Sequence, residues 1–312
     1  MFPWHDTGLP EGLAQPPGSA PIVLGAIREI EERMVARSYL FVPGDRPEML
    51  AKSERRGADA VIVDLEDAVA PSAKSTARAA VASWLAATPH QLGERWVRVN
   101  PGGALVQDVV ALAGCDVEGI VVPKVRGPED LVAAIDALDQ AGMAAAQVIA
   151  LIETPPAVLA VAAIAAVPRV YQLMIGEMDL GSELRIDPSS PAWLPIRLQL
   201  VVASAAAGIE APLGPVDPDF ADLERLRAET RALYEIGFRS RPAIHPAQVP
   251  LFNEALTPSP EEVAEAQRLV VAFDAAVADG RGAFADVDGR MIDEAMVKVA
   301  RATLESARRA DR

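Results

Sequence analysis

Hydrophobic residues along this chain fall into two kinds of stretch that alternate. One kind is a short, mainly apolar run with a polar or charged residue at or soon after its end, at residues 39–42, 60–65, 95–100, 119–123, 147–152 and 170–175. The other is longer, with apolar residues returning every three or four positions, as Ala77, Val81 and Leu85 do, and again Leu131, Ile135 and Leu138. A continuous apolar run of this length reads as a strand buried on both faces, and a period near 3.6 reads as a helix packed on one side.

Between the runs, helices are predicted over 47–56, 72–87, 107–113, 128–140 and 155–166, several opening on proline, whose missing N–H costs nothing in a first turn. Past residue 176 the pattern weakens. It supports a helix over 191–207, a strand over 209–213, a helix over 222–236 and a strand over 241–245. Eight strand–helix alternations with fully apolar strands predict a parallel sheet wrapped in helices. The count of eight favours a closed (β/α)8 TIM barrel over an open sheet. No Gly-x-Gly-x-x-Gly follows any strand, which argues against a dinucleotide fold.

The organisation that results has three parts. Residues 1–36 form a leader and a short helix (22–35), placed either on the body or on a neighbouring subunit; residues 37–250 form the barrel. Residues 251–312 add two helices, at 260–277 and 290–308, more than a barrel needs to close. They read either as extra packing or as a lid or subunit-exchange element.

Charge and composition narrow the partners. A net charge of −15 leaves no basic excess to meet nucleic acid or an anionic membrane. Cys115 is the one cysteine, which rules out an internal disulfide and a cysteine-built zinc site, and fits a reducing cytoplasm. Neither a signal peptide nor a membrane span is read in the first twenty residues.

In a parallel barrel the C-terminal strand ends share one face. That brings together Asp64, Glu66 and Asp67, Arg98 and Asn100, Lys124, Glu153, Glu177 and Asp179, and His245. Glu153 and Asp179, one βα unit apart, offer two oxygen ligands whose remaining positions water fills, a pattern suited to Mg²⁺ or Mn²⁺. Taken singly, each acid reads better as a cap for the following helix; taken with the other acids on the same face, metal binding is the preferred reading. Arg98, between Val97 and Val99, points into the mouth and suits a carboxylate or enolate oxygen, or a salt bridge to Glu66 or Asp67. For Lys124 an ion pair is preferred to a Schiff base, and His245 alone reads as a framework group. No serine, threonine or cysteine has an evident base, so a hydrolytic triad is not expected.

The segments Arg37-Ser-Tyr-Leu-Phe-Val-Pro-Gly, Ala58-Asp-Ala-Val-Ile-Val-Asp-Leu-Glu-Asp-Ala-Val, Val97-Arg-Val-Asn, Ile149-Ala-Leu-Ile-Glu-Thr and Ile244-His-Pro-Ala-Gln occur in this order. Together they resemble the citrate lyase β-subunit-like family of the HpcH/HpaI aldolase superfamily, with malyl-CoA and citramalyl-CoA lyases among its members. The resemblance implies a TIM barrel assembled into homotrimers or homohexamers, with Mg²⁺ on Glu153 and Asp179. It implies that Arg98 polarises oxygen at the carbon where the bond breaks, and that Glu66 and Asp67 orient water and Arg98. Gly289-Arg-Met-Ile-Asp293 is similar to a C-terminal motif whose Asp, here Asp293, reaches a neighbouring subunit's site as acid/base.

The implied reaction is a reversible Claisen cleavage of a 3-hydroxyacyl-CoA such as malyl-, citramalyl- or citryl-CoA into an acyl-CoA and a 2-oxo acid, with thioesterase activity as an addition. Arg37 and Arg46 are the expected partners of the CoA phosphates, and His245 is grouped with them on the cofactor side. Two other readings stand beside this one: a metal-dependent pyruvate-type aldolase on free acids, and a carrier-protein-dependent lyase subunit. Met178, where relatives usually carry Glu, the charged segment 181–193, Ala243 for a common Cys and Glu210 for a common Asp depart from the family pattern. These positions are expected to border the acyl pocket and to make the preferred acid unusual.

Overall fold

The computed structural model describes residues 35–88, 93–285 and 291–310. The leader, the helix expected at 22–35 up to residue 34, and Gly289 and Arg290 of the C-terminal motif lie outside the described residues. Eight strands form one parallel sheet: β1 (Ser38–Pro43), β2 (Ala60–Asp64), β3 (Glu94–Arg98), β4 (Gly119–Val122), β5 (Gln147–Ile152), β6 (Val170–Ile175), β7 (Glu210–Leu213) and β8 (Arg241–Ala243). Hydrogen-bonded neighbours run β7-β6-β5-β4-β3-β2-β1-β8. A parallel bridge between Leu213 and Ser240, with the Gly214 N–H donating to the Ser240 carbonyl at 2.8 Å, joins the two ends and closes the barrel.

Alternation along the strands divides the core into two shells. Tyr39, Ile62, Trp96, Val121, Ile149, Leu151 and Met174 fill the barrel, and Leu40, Val61, Val63, Val97, Ile120 and Ala150 pack beneath the helices. Since successive side chains in a strand face opposite sides, the residue two beyond an interior one also points inward. This simple count places Asp64 after Ile62, Arg98 after Trp96 and Glu153 after Leu151 at the C-terminal mouth.

Helix Pro128–Gln140 has the predicted bounds, whereas the helix expected over 155–166 is two, Pro155–Leu159 and Val161–Ala165, separated at Ala160. Two helices have no counterpart in the sequence pattern. Glu177–Leu184 follows β6. Val249–Ala255 follows β8 and buries Leu251 and Phe252, so the barrel boundary drawn at residue 250 cuts through its last helix. The C-terminal helices Pro260–Ala278 and Glu294–Ala310 pack on one another around Phe273, Ile292 and Val297, with a two-residue hairpin, Phe284–Ala285 against Met291–Ile292, between them. Among the described residues, no helix is long and apolar enough to cross a membrane.

Candidate active site at the C-terminal mouth of the barrel

Asp64 is the hub of the mouth. Its carboxylate accepts from the Arg98 Nε at 2.7 Å and from a terminal guanidinium nitrogen at 2.6 Å, a two-point contact between neighbours that are already paired in register across β2 and β3. The same two oxygens accept the backbone N–H groups of Glu66 at 2.8 Å and Ala68 at 2.9 Å, which folds the loop after β2 back over the strand end. Asn100 donates to the Leu65 carbonyl at 2.8 Å and is itself held by Asp108. Lys74 donates to the same carbonyl at 2.8 Å.

Arg98 therefore points into the mouth, but its main partner is Asp64 rather than Glu66 or Asp67, which lie 3.2 and 3.9 Å from its other terminal nitrogen. Its guanidinium also sits 5.0 Å above the Phe41 ring. Burial works against the Arg98 charge, yet the hydrogen bond and charge of Asp64 outweigh it and hold the guanidinium more firmly protonated than usual.

Glu153 follows β5 directly, with its side chain buried. The capping alternative does not apply to it, because Thr154 Oγ1 takes the cap by accepting the Ala157 N–H at 3.3 Å. Glu153 instead accepts the backbone N–H of Lys124 at 2.7 Å. Gly176 makes this position available: a Cβ there would lie 2.5 Å from that of Glu153 and 2.9 Å from its Oε2. Asp179 stands in the first turn of Glu177–Leu184, where no side chain caps the helix.

Lys124 joins these groups. Its φ of 54° is in the left-handed region, an unfavourable backbone for a residue with a Cβ, and one that tends to occur where function fixes a side chain. The ammonium lies 2.9 Å from Asp179, 3.4 Å from Glu153 and 4.0 Å from both Glu66 and Asp67. Burial disfavours its charge, but the Asp179 hydrogen bond and the charges of Glu153 and Glu66 prevail and raise its pKa. Burial likewise pushes the Glu153 carboxyl upward.

Glu66, 5% exposed, is pushed up to about 7, chiefly by burial, with Arg98 opposing and Asp67 reinforcing. Its Oε2 is buried without a hydrogen-bond partner. Because the folded state holds this proton more tightly than the unfolded chain, stability should fall as pH rises from about 4.5 to about 7, by up to about 3 kcal/mol for the metal-free protein. Glu66→Gln is expected to flatten that slope, as read by chemical denaturation at pH 5 and pH 8. An unchanged slope would exclude Glu66 as its source.

Among the described residues, no three His, Cys, Asp or Glu side chains are placed to hold a metal by themselves. Mg²⁺ does not require this, since it commonly takes one or two carboxylates and keeps several waters. The crowd of carboxylates around one ammonium, the space that Gly176 leaves beside Glu153 and the buried Glu66 oxygen that no hydrogen bond holds all fit a divalent ion.

The remaining candidates scatter. Arg46, after β1, is exposed at the mouth and 3.6 Å from Asp45. Arg37 is a correction: it precedes β1, so it lies at the opposite end of the barrel, bound to Asp59 at 2.7 Å and to Thr257 at 2.8 Å. His245 is exposed, accepts the Ala247 N–H on Nδ1 at 3.2 Å and stacks on Phe220 at 4.5 Å, a framework arrangement. Asp293 is exposed, caps helix Glu294–Ala310 by accepting the Met296 N–H at 3.0 Å, and does not line the mouth of its own chain. Gly176 and Phe41 were not among the sequence candidates, and Glu177 pairs with an unforeseen partner, Arg197, at 2.6 and 2.8 Å. A cavity of about 430 Å³ opens above Asp64, Arg98, Glu153 and Asp179.

The profile of the HpcH/HpaI aldolase/citrate lyase family matches residues 37–246. The chain belongs to this family. It is 35% identical over 277 residues to the (3S)-malyl-CoA thioesterase of Cereibacter sphaeroides, spanning 87% of this chain and 94% of that protein. It is 33% identical over 304 residues to the L-malyl-CoA/beta-methylmalyl-CoA lyase of the same species, spanning 87% and 94%. Among solved structures, CitE of Mycobacterium tuberculosis in complex with magnesium, acetoacetate and coenzyme A superposes with a TM-score of 0.72 at 33% identity, covering 86% of this chain and 97% of that one.

Proposed function

We propose that this family member is a Mg²⁺-dependent carbon–carbon lyase that cleaves a 3-hydroxyacyl-CoA of the malyl-, citramalyl- or citryl-CoA kind into an acyl-CoA and a 2-oxo acid. The observation that carries the reading is the convergence of Glu153, Asp179, Glu66 and Asp67 within 4.0 Å of one ammonium, beside an arginine pinned by Asp64. Lyase and thioesterase names among the relatives, and magnesium with coenzyme A bound to the similar CitE, support the substrate class.

Glu153 and Asp179 would hold Mg²⁺, which when bound supplies Lewis acidity to the substrate oxygens. Arg98 offers fixed positive charge where the carbinol oxygen turns negative, and because Asp64 holds it in place no reorganisation is needed. Glu66 and Asp67 orient water and the free edge of Arg98. The hydroxyl proton passes to the water that Glu66 and Asp67 orient, the O–H electrons form the carbonyl of the 2-oxo acid, and the electrons of the broken C–C bond pass to the thioester as an enolate. That enolate takes up one proton. Asp293 is our proposed donor, supplied by a neighbouring copy because it lies outside its own chain's mouth. The C-terminal helices would then serve subunit exchange in a trimer or hexamer, and Arg46 is the basic group left at the mouth for a CoA phosphate.

Purified protein should convert at least one of malyl-, citramalyl- and citryl-CoA to acyl-CoA and oxo acid with Mg²⁺ and not without it. The thioesterase name among the relatives favours a second reading, hydrolysis, in which free CoA thiol appears and the hydroxy acid stays whole. Assaying thiol and oxo acid together separates the two. Turnover of free hydroxy-oxo acids with no turnover of any thioester would refute both and leave an aldolase.

A further inference from the structure

The cavity walls differ in chemistry from one side to the other. Towards β2, β3, β5 and β6 stand Asp64, Asp67, Arg98, Glu153 and Asp179, while the side formed after β7 and β8 presents Val216 and Ile244, with Met178 at the rim. Among the described residues lining the cavity, Arg98 is the single cation. Its Nε and one terminal nitrogen are committed to Asp64, and the remaining edge, 3.2 Å from Glu66, is the one that the lyase reading gives to the carbinol oxygen. Nearby Arg197 is spent on both oxygens of Glu177.

A substrate carboxylate next to the carbinol carbon would have the metal to bind. A second carboxylate, further out on that carbon, would meet only apolar side chains and acids that already take up the charge of Arg98 and Lys124, and an unpaired charge taken out of water is strongly disfavoured.

The apolar wall is also braced. Gln248, fully buried, accepts the backbone N–H of Ile244 at 2.9 Å and of His245 at 3.2 Å, and donates to the Asp217 carbonyl at 3.0 Å. Asp217 follows Val216 directly, and its carboxylate is bound by Arg225 at 3.0 Å and faces Arg241 at 3.6 Å. One side chain thus ties the loop that carries Val216 to the strand end that carries Ile244. The two apolar residues are held as a unit that does not part to admit a counter-charge.

We infer that the cavity selects the substituent on the carbinol carbon, accepting hydrogen or a short alkyl group and rejecting carboxymethyl, and that Val216, Ile244 and Met178 set this choice. The products are then a 2-oxo monocarboxylic acid and an acyl-CoA. This rests on the lyase reading above and narrows it.

The test compares three thioesters that differ only at this carbon: malyl-CoA (hydrogen), citramalyl-CoA (methyl) and citryl-CoA (carboxymethyl), with the full-length protein and Mg²⁺. The better of the first two should exceed citryl-CoA in kcat/KM by at least about 100-fold, the scale on which pocket contacts discriminate substrates. Equal or better use of citryl-CoA overturns the inference and leaves the lyase reading intact. If none of the three is cleaved, the lyase reading fails, and calorimetry with pyruvate and oxaloacetate in the presence of Mg²⁺ judges the pocket by itself: tighter binding of pyruvate supports the inference and tighter binding of oxaloacetate overturns it. Ile244→Arg and Met178→Arg, both at exposed positions, should each raise the citryl-to-citramalyl ratio about tenfold or more. A ratio that neither variant moves would remove these residues from the assignment.

Discussion

Asp179→Asn is expected to lower Mg²⁺-dependent turnover by on the order of 10²–10³-fold, the scale on which removing one charge contact to a developing anion slows an enzyme. Asparagine keeps the shape and one oxygen but loses the formal charge that a hard divalent ion selects. The side chain is 49% exposed and reaches Lys124 at 2.9 Å, while Glu153 remains 3.4 Å from the same ammonium, so the fold should tolerate the change. Thermal melting of the metal-free variant should therefore match the parent, and calorimetry should show Mg²⁺ binding weakened in parallel with turnover. Full activity with undiminished metal binding would take Asp179 off the ligand list. Glu153→Gln is a poorer test, since its buried carboxylate accepts the Lys124 backbone N–H and a folding defect would blur the result.

Much of the barrel could be read from the sequence because its strands are buried on both faces. Residues 147–152 are apolar after Gln147 and residues 170–175 are apolar but for Gln172, and β5 and β6 have those bounds. The pattern fails where packing rather than periodicity makes the element. Glu177–Leu184 hides a helix behind acids and a central Gly181, which lies against the Trp193 ring, so the segment reads as a loop. Strand β8 stops at Ala243 because Gln248 takes the Ile244 and His245 N–H groups that a longer ladder would use.

The site was legible to the same degree. Parallel strands gather their C-terminal residues whatever their sequence separation, which is why Glu66, Arg98, Lys124, Glu153 and Asp179 could be grouped before any coordinates. Composition alone does not rank three acids within four residues. Alternation from Ile62 does, by turning Asp64 inward opposite Arg98. Arg37 was misplaced by counting distance along the chain: it adjoins β1, but on the side of the strand that faces the other end of the barrel.

Replacing Arg98 should be costlier than any other single change at the mouth, because two functions share the side chain. Asp64 is 1% exposed and receives both its strong contacts from Arg98, so Arg98→Met leaves a buried carboxylate with backbone partners only. Removing one member of a buried pair commonly costs about 3–5 kcal/mol. Denaturant unfolding should show a loss of that order, and Asp64→Asn in the same background should recover part of it by removing the stranded charge. Arg98→Lys separates stability from chemistry. Lysine restores a positive charge to Asp64 but cannot make the two-point contact and also present a donor towards Glu66. Its stability should return most of the way to the parent while turnover stays at least about tenfold down. If Arg98→Lys recovers turnover and stability together, then Arg98 matters here only as the counter-charge of Asp64, and the role given to its free edge is wrong.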